Sequence, residues 1–381
     1  MSRSCVELAN IATRFGKQFV EQYNPNAYHQ RVLQDITQCR TAELGGHSMA
    51  CDDCGQITIS YNSCRNRHCP KCLASKQALW VDDLLETTLD VKHYHIVFTV
   101  PHELNPISQL NSAWFYNQMF ATVWDTLRSF GYSHFGVETG AICVLHTWGQ
   151  NLSLHPHVHC IVPAAGESLS GRMKHIGNGG KFLYPVRQLS VTFRGKLMDA
   201  IKKQLKAIGL LPKFQQLLNT AWGKQWVVFC EPSMAKPGHV VKYLGQYTHR
   251  VAITNDRILS IDGQNVCFMH KDYADHARQK PITLNGVEFL RRFCLHILPR
   301  RFVKIRRYGI YSSRYRALQK KKNPKMLVKP KETARERLAR ITGYDMYRCP
   351  VCKSGTLHPF EALPRIRSPD TLYAVLNTSK N

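Results

Sequence analysis

Two histidines stand one residue apart in the segment H-P-H-V-H. On a β-strand the side chains of His157 and His159 point to the same face, because successive side chains alternate. Two imidazoles on one face can chelate a divalent metal ion if a neighbouring strand supplies a third ligand. His146, on the preceding predicted strand, is the best candidate, and Gln150 and His155 are alternatives. The competing interpretation is a set of histidines without a metal.

A second reactive pattern is a pair of tyrosines four residues apart in HVVKYLGQYTH, which is predicted to form a short helix. The spacing places Tyr243 and Tyr247 on one helix face. A phenol has a pKa near 10, so it needs a proton acceptor or a nearby cation to attack phosphorus. Such an attack on DNA would leave a phosphotyrosine and a free hydroxyl, with Lys242 and Arg250 available to position the backbone. Ordinary packing of the two rings is the alternative.

The third pattern is a pair of C-x-x-C motifs separated by fourteen residues. Four thiolates at this spacing suit a tetrahedral structural zinc ion, and the set expected here is Cys51, Cys54, Cys69 and Cys72. Three further residues in the same stretch could replace one of these ligands or share a second ion: His47, Cys64 and His68. The same loop carries Arg65 and Arg67, which would face phosphates.

Another C-x-x-C pair, Cys349 and Cys352, lies near the end of the sequence. With His358 it could hold a second zinc ion, but no fourth ligand is evident in that segment. Two free thiols are an equal alternative.

The predicted elements that must position these residues include strands at 93–100, 141–148 and 157–164 and a long helix at 106–131. Further helices are predicted at 1–45, 188–208, 212–222 and 286–298, the last because Asn285 and Glu288 form a capping-box pattern. Short strands are predicted at 226–230, at 250–254 and in a hairpin at 258–269. Strands and helices do not alternate strictly, which favours an α+β fold with a largely antiparallel sheet.

Composition points to an anionic partner. The 381 residues include 52 Lys and Arg against 26 Asp and Glu, a formal net charge of +26. Nucleic acid is the usual partner of so basic a chain, and no apolar run is long enough for a membrane span or a secretory signal. The segment from Arg291 to Lys331 holds fifteen basic residues and no acidic one. The residues in it expected to contact DNA are Arg300, Arg301, Lys304, Arg306 and Arg307.

Together these motifs resemble the rolling-circle transposases of the insertion-sequence-ninety-one family, in the HUH endonuclease superfamily. The resemblance covers roughly residues 30–310, and the matching segments run in order from residue 44 to 309. They are LGGH, YNSCRNRHCPKC, HIVFTVPHEL, LHTWGQNLSLHPHVHCIVPAAG, YLGQYTHRVAI, YADH and LPRRFVKIRRYG.

Three consecutive regions are expected, and the resemblance implies the first two of them. These are an N-terminal helical and zinc-binding domain at 1–90, an HUH-type catalytic domain with a central antiparallel sheet at 91–310, and a basic C-terminal region at 311–381. It also implies Mg²⁺ or Mn²⁺ as the catalytic ion beside structural Zn²⁺, although an all-histidine site would by ligand preference suit softer metals.

The resemblance further implies that one DNA strand is nicked at the end of a mobile element and held through a 5′-phosphotyrosine. The expected partners are single-stranded and target DNA and the host replication machinery. The expected location is the bacterial cytoplasm, with the nucleoid.

The main alternative function is a zinc-dependent DNA-binding protein that has no catalytic activity. It explains the charge and the cysteines but not a histidine hairpin together with paired tyrosines. A zinc hydrolase or a nucleobase deaminase is disfavoured, because neither H-E-x-x-H nor H-x-E followed by P-C-x-x-C occurs.

Overall fold

The structure is a computed structural model that describes residues 6–177, 182–234, 251–272, 275–322 and 332–366. The chain divides into two compact units that interleave along the sequence. Unit one comprises residues 1–80, 249–297 and 331–381, and unit two comprises residues 81–248 and 298–330. Along the sequence, the chain leaves unit one and returns to it twice.

The secondary structure of the described residues mixes helices and strands. The α-helices are α1 (Leu8–Tyr23), α2 (Ala27–Thr37), α3 (Leu73–Thr87), α4 (Asn105–Leu110), α5 (Ser112–Phe135), α6 (Val186–Ala207), α7 (Leu211–Gly223), α8 (Gly286–Cys294), α9 (Ser313–Lys322) and α10 (Ala334–Thr342). The strands are β1 (Gly46–Cys51), β2 (Ile57–Tyr61), β3 (His93–Thr99), β4 (Val137–Glu138), β5 (Gly140–Trp148), β6 (Leu154–Pro163), β7 (Ala165–Ser168), β8 (Met173–His175), β9 (Val228–Met234), β10 (Ile258–Asp262), β11 (Asn265–Asp272), β12 (Arg278–Asn285), β13 (Ile305–Gly309) and β14 (Leu357–Leu363).

Unit two is built on a five-stranded sheet with the order β13-β5-β6-β3-β9, and every neighbouring pair is antiparallel. Helices α5, α6 and α7 supply much of the apolar core against it. The predicted α+β class, with a central antiparallel sheet flanked by helices, is confirmed.

The sheet has two chemically different faces, because side chains alternate along each strand. The helix-facing side chains are apolar and buried, namely Tyr94, Ile96, Phe98, Ala141, Cys143, Leu145, Val158, Cys160 and Val162. The intervening positions on β3, β5 and β6 carry the histidines. One face therefore packs against the helices, and the other carries the histidines together with the buried side chains of Ile142, Val144 and Ile161.

The helix predicted at 106–131 is two helices, α4 and α5, that meet at Asn111. Asn111 has φ −150° and ψ 86°, which is outside the helical region, and its side chain accepts a hydrogen bond from the Trp114 N–H at 3.0 Å. An Asn in this role ends one helix and caps the next.

Unit one contains two three-stranded sheets, β14-β1-β2 and β10-β11-β12. The hairpin turn predicted at Asp262-Gly263 joins β10 and β11, and Gly263 has a positive φ of 53°. The strand predicted at 250–254 is not present in its described part, residues 251–254. Close packing of α1 and α8 depends on Gly286, because a Cβ there would lie 2.3 Å from the ring of Phe15.

None of the described helices has the length and apolar character that a bilayer-spanning helix requires.

Candidate metal centres

The hairpin of β5 and β6 brings three histidines together in unit two. His146 lies directly opposite His157 in the register, and His159 follows two residues later on the same face. One ligand nitrogen from each of the three lies within 4.8 Å of the others. The structure thus groups the histidines that the sequence proposed, although their metal role stays a prediction. Of the two alternatives, the exposed His155 is outside this set of ligand atoms, although its ring centroid lies 5.3 Å from that of His157, and Gln150 is half-buried in the connecting loop.

The protonation state of His157 suits metal binding. Burial lowers the pKa of His157 to about 4, so its imidazole is neutral at physiological pH. The Nδ1 of His157 lies 2.7 Å from the carbonyl oxygen of His155, which favours a proton on Nδ1. That tautomer leaves the Nε2 lone pair for a metal ion.

His95, on β3, supports His159 from the neighbouring strand. Its Nε2 lies 2.8 Å from the Nδ1 of His159, and the two rings are nearly parallel with centroids 5.1 Å apart. Sequence reasoning gave His95 no role. One signal could have identified it. If β3 and β6 are paired, their odd-numbered side chains lie on one face, which places His95 beside His157 and His159.

An aromatic ring and a cation lie beside the histidines. Trp148 stacks on His146 with ring centroids 4.6 Å apart, and the Nζ of Lys304 lies 5.1 Å from the centre of the Trp148 ring. An aromatic face next to a cation is suited to a nucleic-acid base and its phosphate.

The other predicted DNA contacts are placed differently. Arg306 packs over the rings of Phe120 and Phe302 and donates to Asn117, so it belongs to the edge of the apolar core. Arg307 donates to the Thr87 hydroxyl at 3.3 Å, and burial lowers its pKa. The exposed residues of the set are Arg65, Arg300 and Arg301, and Arg67 is half-buried.

Four site residues predicted from the sequence lie outside the described residues. They are Lys242, Tyr243, Tyr247 and Arg250.

The predicted zinc set of Cys51, Cys54, Cys69 and Cys72 is not assembled as one site. Each C-x-x-C pair instead belongs to a different cluster of four cysteines in unit one. The first cluster consists of Cys39, Cys64, Cys69 and Cys72. The second consists of Cys51, Cys54, Cys349 and Cys352.

In the first cluster, the Sγ of Cys72 lies 3.5 Å from those of Cys39 and Cys64. A tetrahedron with Zn–S bonds of about 2.3 Å separates its sulfurs by about 3.8 Å. The donor set and spacing fit a structural zinc ion.

Cys64 therefore joins the cluster as the sequence allowed, whereas the other two alternatives do not. His47 is exposed on β1, and His68 is buried but is not in either cysteine group. Cys39 was missed because it stands alone just after α2, 25 residues before Cys64. A tetrahedral zinc site needs four ligands, and Cys64, Cys69 and Cys72 supply only three. That shortfall was the only indication that a cysteine earlier in the chain completes the site.

Comparisons with known proteins identify two family models that match the chain. Residues 11–100 match a family model described as "Transposase zinc-binding domain", and residues 140–319 match one described as "Putative transposase". The chain is similar to "Putative transposase y4qJ" of Sinorhizobium fredii, with 39% identity over 393 residues covering 97% of this chain and 98% of that protein. It is also similar to "Transposase for insertion sequence element IS801" of Pseudomonas savastanoi pv. phaseolicola, with 26% identity over 342 residues covering 84% and 81%. No solved structure matches the chain.

Proposed function

Because this chain belongs to the IS91 family of insertion-sequence transposases, we propose that it cuts and rejoins one strand of DNA through a tyrosine at the histidine centre of unit two. As a transposase it acts on DNA, and its N-terminal part is a zinc-binding domain. The proposal concerns the chemistry of strand cleavage and the residues that carry it out.

The observation that carries the proposal is the convergence of His146, His157 and His159 on the sheet face opposite the helical core. Neutral imidazoles that share one face can bind a divalent ion, here Mg²⁺ or Mn²⁺. Of the two, Mn²⁺ is better suited to nitrogen ligands. The bound ion would polarise a phosphate oxygen and offset the negative charge that grows there.

Tyr243 and Tyr247 are the proposed nucleophiles. The phenol loses its proton as its oxygen forms a bond to phosphorus, the bond from phosphorus to the 3′ oxygen breaks, and that oxygen takes up a proton and leaves as a hydroxyl. One phosphate ester replaces another, so the bond energy is retained for rejoining to a target. The free 3′ hydroxyl can prime synthesis by the host replication machinery in the bacterial cytoplasm.

The proposed path of the strand passes Trp148 and Lys304. A base stacked on an aromatic face and a phosphate paired with a cation is the common way of holding single-stranded DNA without reading its sequence. Their position beside His146 would bring the neighbouring phosphate to the histidine centre.

The test mixes the purified protein with labelled single-stranded DNA carrying the element's end, with and without Mg²⁺ or Mn²⁺, and reads covalent adduct on a denaturing gel. We expect a metal-dependent adduct that is lost in His157→Ala and reduced or lost in Tyr243→Phe and Tyr247→Phe. Val158→Ala, a neighbour on the opposite face, is the matched control for damage to β6 and should keep the adduct.

DNA binding without an adduct under either ion would contradict the proposal. It would favour the alternative of a zinc-dependent DNA-binding protein without catalytic activity.

A further inference from the structure

We propose that Cys51, Cys54, Cys349 and Cys352 hold a second zinc ion, which fastens the C-terminal segment of the chain to the N-terminal zinc-binding domain. The Sγ atoms of Cys51 and Cys352 lie 3.7 Å apart, as do those of Cys54 and Cys349. All four fall within 4.8 Å of one another. These separations match the roughly 3.8 Å between the sulfurs of a tetrahedral zinc site and are far longer than a disulfide of about 2.05 Å.

The two loops that present these cysteines have the same local geometry. In one, the Gly55 N–H donates to the Cys51 carbonyl at 3.1 Å, and in the other the Lys353 N–H donates to the Cys349 carbonyl at 3.1 Å. Gly55 and Lys353 both adopt positive φ, at 71° and 60°. Each C-x-x-C pair is thus folded back so that its two thiols point to one place.

A backbone N–H donates a hydrogen bond to one of the sulfurs. The Gly355 N–H donates to the Cys352 Sγ at 3.3 Å, a bond that stabilises a thiolate. Gly355 also allows the loops to approach, because a Cβ there would lie 2.5 Å from the Sγ of Cys51. A larger residue at this position would separate the two halves of the site.

Asp52, between the two N-terminal ligands, links its loop to the C-terminal segment. Its carboxylate accepts from the Thr356 N–H at 2.7 Å and lies 3.2 Å from the Nε2 of His358. Its own N–H donates to the Thr356 carbonyl at 3.1 Å. His358, which the sequence offered as a possible ligand, therefore acts on a residue beside the ligands and is not in the cysteine group.

The segment that this site fastens has little apolar surface to hold it otherwise. Strand β14 pairs with β1 from Gly46–Leu363 to Cys51–Leu357. The buried apolar cluster at that junction consists of Met49, Cys51, Cys349 and Leu357, so two of its four members are the proposed ligands. A cluster of this size does not stabilise a fold alone, and a structural metal is the usual remedy.

The chain between the two halves of the site is long. Cys54 and Cys349 are 295 residues apart, and everything in unit two lies between them. A metal that joins such distant positions removes a large loop entropy from the unfolded chain.

The experiment measures zinc per chain by inductively coupled plasma mass spectrometry on the full-length protein after gel filtration. We expect the double variant Cys349→Ser, Cys352→Ser to hold one zinc ion per chain fewer than the wild-type chain. The half-exposed Cys267, which belongs to neither cluster, provides the matched control, and Cys267→Ser should keep the wild-type zinc content.

A second variant guards against simple misfolding. Cys352→His retains a zinc donor, so it should recover the second ion that the serine variant loses. The exposed thiol of Cys54 adds a further readout, because zinc should protect it from iodoacetamide until a chelator is added.

A serine variant that holds as many zinc ions per chain as the wild type would overturn the assignment. A disulfide between any of these four cysteines, detected by mass spectrometry without reduction, would do the same. None of these readouts depends on DNA cleavage, so the proposed function and this site can fail separately.

Discussion

His95 and His159 are joined across neighbouring strands by a nitrogen-to-nitrogen contact of 2.8 Å, although they are not opposite each other in the register. His159 faces Val97, and His95 lies two residues away on the diagonal. If His159 donates from Nδ1, its Nε2 keeps a lone pair directed to the metal centre.

The first prediction follows from this contact. His95→Ala should weaken Mn²⁺ binding by about 10–100-fold, because loss of the partner frees the ring orientation and tautomer of His159. Mn²⁺ titration followed by electron paramagnetic resonance measures this. His102→Ala, at a histidine whose side chain is 75% exposed beyond the same strand, should leave the affinity unchanged. Equal affinities for His95→Ala and wild type would exclude a positioning role.

The second prediction separates Cys39 from the histidines that the sequence offered as ligands. Cys39→Ser should remove one zinc ion per chain and lower the thermal stability of the protein, since structural zinc contributes directly to folding. His47→Ala should retain full zinc content, because His47 lies outside the cysteine clusters. Zinc analysis with thermal unfolding measures both, and a loss of zinc in His47→Ala would return His47 to the candidate ligands.

The third prediction concerns two neighbouring cations that the structure places differently. Lys304→Ala should weaken single-stranded DNA binding several-fold and reduce the slope of log affinity against log salt by about 0.7, the value for one lost phosphate contact. Arg306→Ala should leave that slope unchanged and lower stability instead, because Arg306 packs on Phe120. Fluorescence anisotropy at several salt concentrations measures the slope, and an unchanged slope in Lys304→Ala would remove Lys304 from the DNA path.

The fourth prediction is a pH dependence in unit one. Hydrogen bonds from Arg291, followed by Arg292, lower the pKa of Glu288 to about 2. A lowered folded-state pKa stabilises the protein above the unfolded value of about 4.5, and the contribution is lost as pH falls toward 2.

Glu288→Gln should therefore destabilise the protein by about 1 kcal/mol at pH 7, a figure reduced for solvent screening of this partly exposed group. The difference from wild type should shrink steadily below pH 4.5. Denaturant unfolding across this range is the measurement, and a difference that does not vary with pH would show that the ion pairs contribute nothing.

Glu288 also shows how local patterns mislead. Asn285 caps α8 as predicted, accepting from the Val287 N–H at 3.0 Å, but the carboxylate of Glu288 binds the two arginines rather than completing a capping box. Two arginines of the basic run are thereby paired within the helix. A count of charges in sequence could not distinguish them from cations available to DNA.

The sheet and the histidine hairpin were predictable because their signals are local. Two runs of alternating apolar side chains and the short polar loop between them all lie within about twenty residues. The second cysteine cluster was not predictable, since its two halves are about 300 residues apart and no local pattern specifies which C-x-x-C pairs meet. The contact of His95 with His159 likewise depends on strand order and register, which are set by the whole sheet.

The most direct test of the central claim is tandem mass spectrometry of the covalent protein–DNA adduct after nuclease and trypsin digestion. The account predicts a peptide carrying a phosphodeoxynucleotide on Tyr243 or Tyr247, formed only with a divalent ion and absent in His157→Ala. A nucleotide attached to any other residue, or cleavage with hydroxyl ends and no adduct, would contradict it.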